Sequence, residues 1–111
     1  MTLKLITNLQ NLGFTENEAR TYAALAGLKE ATAREIFEAS GVPRSKVYKV
    51  LGRMAKKGYI RTIGGNPTLF SRISPEELTS RIREDFMLSL DEVFLELHAL
   101  GPGDEAVISE A

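Results

Sequence analysis

Residues 43–61, PRSKVYKVLGRMAKKGYIR, carry seven basic side chains and no acidic one, within a chain of 111 residues whose formal net charge is −1. Arg44, Lys46, Lys49, Arg53, Lys56, Lys57 and Arg61 are interleaved with Val47, Val50, Leu51 and Met54, which recur at helical spacing. A helix with this pattern buries one side and offers the other as a positive stripe. Polyanionic DNA fits such a stripe best, because neutralising phosphates releases condensed counterions. The charge is also polarised along the chain: residues 1–27 sum to 0, 28–61 to +6, 62–73 to +1 and 74–111 to −8. A charge run is often no more than a solvated helix face, but the absence of any acid through this one favours binding.

At about 100° per residue, Val47, Val50, Leu51 and Met54 cluster on one side of the helix, with Ser45, Lys49, Gly52 and Lys56 opposite. Lys46, Arg53 and Lys57 lie on one flank and Tyr48 on the other. Ser45, Tyr48 and Lys49 are best placed for base edges, Arg53 and Lys56 for phosphates. Tyr48 has a second reading, as a helix-packing aromatic half buried against the wing. Gly52 costs about 1 kcal/mol relative to alanine inside a helix. It either permits close approach of the backbone to DNA or is tolerated drift.

The elements that must position these residues are legible in outline. Leu3, Ile6, Leu9 and Leu12 share one face of a helix over residues 2–12, which Gly13 ends. Thr15 and Glu18 form a capping-box pattern for a helix to about Gly27, and Thr32 with Glu35 repeats it for a short helix to Ser40. Gly41 closes that helix, and Pro43 fits the first turn of the basic one, which stops at Gly58. Residues 59–63 and 69–73 are β-rich around the turn cluster Gly64-Gly65-Asn66-Pro67, which predicts a β-hairpin. Ser74, Pro75 and Glu77 start a last helix that runs to about Leu100. The tail 102–111 is expected to be flexible and acidic.

This order predicts a mainly α fold with a small β-hairpin: a winged helix-turn-helix domain over residues 1–73, followed by a long C-terminal dimerisation helix over 74–101. The second helix of the helix-turn-helix would lie in the DNA major groove and the hairpin would be the wing. LGFTENEARTYAAL, ATAREIFEASGVPRSKVYKVLGRMAKKGYI and the ISPEEL that follows resemble the DNA-binding domain of the TrmB family of winged-helix transcription regulators, found chiefly in archaea and also in bacteria. The resemblance covers residues 6 to 85, and GVPRSKVYKVL is its most specific part. It implies sequence-specific promoter binding as a dimer, with Gly41 to Tyr48 opening the recognition helix. Many members carry basic wing tips, whereas residues 64–68 here are uncharged, so Arg61 and Arg72 at the base of the wing are its remaining phosphate candidates. Longer members add a C-terminal sugar-binding domain, for which this chain has no room, so their sugar sensing is not carried over.

Leu78, Ile82, Phe86, Leu90, Val93, Leu97 and Leu100 step by three and four along the last helix, and from Phe86 onward they read as a heptad seam. Leu88, Phe94 and Leu95 widen the apolar surface. The helix either folds back on its own domain or meets a second copy; its length and acidic outer face favour a homodimer.

No catalytic constellation is present, and no cofactor is expected. His98 is the only histidine and suits the end of a helix, cysteine is absent, and the acidic pairs have no histidine at ligand spacing. With no signal peptide and no membrane span, the chain reads as soluble and cytoplasmic. The alternative to a DNA-binding regulator is a winged-helix adaptor whose basic helix meets an acidic protein partner.

Overall fold

The computed structural model describes residues 3–103. Its elements run α1 (Leu3–Asn11), α2 (Glu16–Leu28), β1 (Glu30–Thr32), α3 (Ala33–Ser40), α4 (Arg44–Lys56), β2 (Ile60–Ile63), β3 (Leu69–Arg72) and α5 (Pro75–Ala99). This is the expected winged helix-turn-helix with a long last helix. The expected tail from 104 onward lies outside the described residues.

Both capping boxes form. Thr15 Oγ1 accepts from the Glu18 N–H at 3.1 Å while Glu18 accepts from the Thr15 N–H at 2.8 Å. Thr32 and Glu35 repeat the exchange at 3.2 and 3.0 Å. Each box satisfies donors that a helix start would otherwise leave bare.

The sheet has three strands in the order β1-β3-β2, both pairings antiparallel. The hairpin β2–β3 was expected; β1 was not. Glu30 and Ala31 are poor strand formers, though Thr32 is not, and the three become a strand by pairing with Ser71, Phe70 and Leu69. α2 ends within one residue of the expected Gly27: it continues to Leu28, and the chain turns at Lys29, with φ 70° and ψ −57°. The Lys29 carbonyl then accepts from the Arg72 N–H at 3.0 Å.

The core gathers Leu25, Ile36, Val42, Val47, Val50, Leu51 and Met54, each at most 2% exposed, from α2, α3 and α4 and the turn before α4. Ile6 and Leu9 close it from α1, but Leu3 and Leu12, expected on the same face, are 74% and 52% exposed. Leu3 is left outside the core, and Leu12 lines a cavity with Ile82 and Phe86 of α5. Leu78 and Ile82 of α5 are also buried in this core, so its packing continues beyond residue 73 into the first turns of α5. From Phe86 onward α5 leaves the domain: Phe86, Leu90, Val93, Leu97 and Leu100 are all 41% exposed or more. The radius of gyration is 17.0 Å, against about 13 Å for a compact 100-residue domain, as a projecting helix requires.

Candidate nucleic-acid interface

The α3–α4 junction is built from three residues. Gly41 takes φ 74°, a left-handed turn that costs glycine little, and ends α3. Val42 is buried and pins the turn to the core, and its N–H donates to Ser40 Oγ at 3.1 Å. Pro43 sits one position earlier than expected, at the N-cap, and its carbonyl accepts from the Lys46 and Val47 N–H groups at 2.8 and 3.2 Å. The N-cap supplies no side-chain acceptor, so the first turn of α4 meets its surroundings with bare donors and positive dipole.

The wheel of α4 is as its spacing requires. Val47, Val50, Leu51 and Met54 are buried; Arg44, Ser45, Lys46, Tyr48, Lys49, Gly52, Arg53 and Lys56 are exposed. Among the described residues, Arg44, Lys46, Lys49 and Lys56 make no ion pair, so their charge is uncompensated at the surface. Tyr48 is 68% exposed, which removes the half-buried packing role. A Cβ built on Gly52 meets nothing within 4 Å, so no neighbour requires the glycine.

The other three arginines of the expected set are engaged within the chain. Arg53 Nε lies 4.0 Å from Glu18 Oε2, which is nearly buried and uses its other oxygen in the capping box. Arg61 binds both oxygens of Glu77 at 2.8 and 3.0 Å, which holds the Glu77 carboxyl below the usual carboxylate range, with Arg81 adding to the effect. Arg72 donates to the Ala26 carbonyl at 3.4 Å, and its charge opposes the upward push of burial on the Tyr22 phenol. The base of the wing is thus clamped to α5 on one side and to α2 on the other.

Tyr48 stands between two cavities. One, of about 270 Å³, is lined by Ala33, Arg34, Phe37, Glu38, Arg44, Val47 and Tyr48. The other, of about 380 Å³, is lined by Thr32, Ala33, Arg34, Tyr48, Pro67 and Thr68. The wing tip therefore faces α4 across a gap that the start of α3 also lines. Arg34 was not among the expected contacts. Its signal in the sequence is its place in the first turn of α3, just after the Thr32 cap, within the net-positive stretch.

No group of three or more metal-ligating side chains gathers among the described residues, and no helix there is long and apolar enough to cross a membrane. His98 packs against Phe94, one turn earlier on α5, at 4.6 Å between ring centres.

Residues 9–76 match the model of the family described as the sugar-specific transcriptional regulator TrmB. The sugar-sensing transcriptional regulator TrmBL1 of Pyrococcus furiosus is 30% identical over 105 residues, 92% of this chain and 31% of that protein. The DNA-binding transcriptional repressor TrmBL2 of Thermococcus kodakarensis is 31% identical over 91 residues, 82% of this chain and 33% of that protein. The solved structure of TrmBL2, described as an archaeal chromatin protein, superposes with a TM-score of 0.76 at 28% identity, over 86% of this chain and 37% of that one. The chain spans about a third of the length of these relatives. With a family model covering more than half of its residues, and the helix-turn-helix inside that match, the chain belongs to the TrmB family of transcription regulators.

Proposed function

We propose that this chain binds double-stranded DNA at defined sequences as a homodimeric transcription regulator in the cytoplasm. One observation carries the DNA reading: the outward face of α4 holds Arg44, Lys46, Lys49 and Lys56 with no acidic partner, on the second helix of a helix-turn-helix. Ser45, Tyr48 and Lys49 are the base-edge candidates. Arg44, Lys46 and Lys56 are the phosphate candidates, and Arg53 serves the same role from its half-exposed position beside Glu18. Arg61 and Arg72 are weaker phosphate candidates, because each must give up an internal partner first. The relatives named for DNA binding and repression agree with this reading.

The dimer reading rests on α5. An apolar strip from Phe86 to Leu100 stays exposed in one copy, and contiguous exposed apolar surface marks an interaction site. A second copy packed along Phe86, Leu90, Val93, Leu97 and Leu100 would cover it, and a twofold pair can set two recognition helices about 34 Å apart, one turn of DNA.

The test is selection of bound duplexes from a random pool, followed by titration against salt. An enriched motif whose binding falls steeply with salt supports the proposal. No enrichment and no salt-dependent DNA binding would sink it in favour of a protein-binding adaptor. An enriched motif with two related halves supports the dimer.

A further inference from the structure

We propose that the trough running from between α3 and α4 to the wing tip seats one strand of the DNA backbone, with Arg34 as its phosphate-binding side chain. This rests on the DNA reading above and adds a contact outside the recognition helix.

Continuity is the first support. Ala33, Arg34 and Tyr48 line both cavities, so the two adjoin in one trough with Tyr48 at their boundary. Arg34 stands where the helix-turn-helix and the wing tip come together.

Charge is the second. The lining includes two guanidinium groups, Arg34 and Arg44, and one carboxylate, Glu38; the remaining side chains are apolar or hydroxylic. A small-molecule pocket is mostly enclosed and apolar. This trough is only partly enclosed and carries a net positive charge, two guanidinium groups against one carboxylate, which suits a continuous polyanion better.

The wing is the third. Its tip gives the trough only Pro67 and Thr68, which are small and uncharged. A wall of that kind lets a strand lie close without supplying charge. Arg34, across the gap, supplies the cation that the wing tip lacks.

Arg34 is 86% exposed and pairs with Glu38 at 3.2 Å, one turn along α3. An exposed pair at this spacing is weak. A phosphate, which a guanidinium can clamp with two hydrogen bonds, displaces Glu38 readily. Glu38 therefore competes with a phosphate for Arg34 and opposes the strand through its own charge.

The experiment titrates the whole chain with a fluorescent random-sequence duplex over a range of salt concentrations, with circular dichroism to check folding. Arg34→Gln is expected to flatten the salt slope by about one unit per bound subunit, and Arg34→Lys to retain it. Glu38→Gln is expected to tighten binding. Thr68→Glu, which sets a carboxylate on the opposite wall, is expected to weaken it, whereas Thr68→Ala is not. Arg20→Gln is the matched control, since Arg20 pairs with Glu16 at 3.2 Å and the same spacing on α2 but lines neither cavity. An unchanged slope for Arg34→Gln, or an equal fall for Arg20→Gln, overturns the seat. If Lys49→Ala still weakens operator binding in that case, the DNA reading survives. Absence of salt-dependent binding by the wild type overturns both.

Discussion

The Tyr59 hydroxyl donates to Asp85 Oδ2 at 2.6 Å, joining the start of the wing to the third turn of α5. The Tyr59 ring also stacks on Phe14 at 5.3 Å between centres, so one side chain touches the α1–α2 loop, the wing and α5. The Arg61–Glu77 pair lies on the same junction. Wing and α5 are thus fixed to each other twice.

That junction has a pH signature. Burial, with the hydrogen bond and negative charge of Asp85, pushes the Tyr59 phenol up to about 12. In the unfolded chain a tyrosine ionises near 10. Stability from the neutral phenol is therefore complete below about pH 10 and is lost as pH rises towards 12. Tyr59→Phe should lower stability at neutral pH by about 1–2 kcal/mol and make the alkaline loss shallower. Denaturant unfolding across the alkaline range checks both, and an unaltered alkaline limb in the variant would remove Tyr59 as its source.

Lys49→Ala should weaken binding to a selected operator more than to random DNA, by about 1–3 kcal/mol. Lys56→Ala should weaken both alike and flatten the salt slope by about one unit per subunit. Lys56 serves this comparison better than Arg53, whose removal would also strip a nearly buried Glu18 of its cation. Equal losses on both DNAs for Lys49→Ala would move Lys49 to the phosphate class.

Gly52→Ala separates two explanations for a glycine in the middle of α4. Nothing in the chain obstructs the added methyl, so the fold should gain up to about 1 kcal/mol. If DNA approaches the backbone there, affinity should fall while stability rises. Thermal melting and titration on the same preparation give the two numbers, and unchanged affinity would mark the glycine as drift.

Leu97→Glu should convert a dimer into a folded monomer that binds a single half-site weakly. A carboxylate in the seam is either buried without a partner or holds the apolar strip open to water, and both are costly. Leu97 lies far along α5 from Leu78 and Ile82, which anchor the helix to the core, so the winged unit should keep its circular dichroism spectrum. Light scattering decides: a wild type already monomeric at tens of micromolar, or a variant that stays dimeric, would mean the seam is not the contact.

The buried and outward faces of α4 were legible because their information is local. Burial at three- and four-residue steps and a one-sided charge run settle which face of α4 looks outward. What was not legible depends on residues distant in the chain. β1 exists because Ala31 pairs with Phe70; of its three residues only Thr32 favours a strand by itself. Arg61 and Arg72 looked like free wing cations until Glu77 and the Ala26 carbonyl came into contact with them. The apolar row of α1 gave the right face, but its period says nothing about which residues overhang the core, and Leu3 and Leu12 do. Arg34 was counted in the basic stretch yet gained its place only when the wing tip folded across from it.

From Glu76 to Leu100 the chain contains neither glycine nor proline, and α5 is helical without a break from Pro75 to Ala99. Its near end is sunk in the winged unit through Leu78 and Ile82, and its far end carries the exposed strip. Such a rod has no joint. From Ile82 to Leu97 it extends roughly 22 Å at 1.5 Å per residue. A tilt of about 10° at one end then displaces the other by roughly 4 Å, comparable with the rise of one base pair. In the proposed dimer, any event that rotates the far ends against each other would arrive at α4 as a change in reach, and the stiffness of α5 would help to set the gap between the two α4 helices.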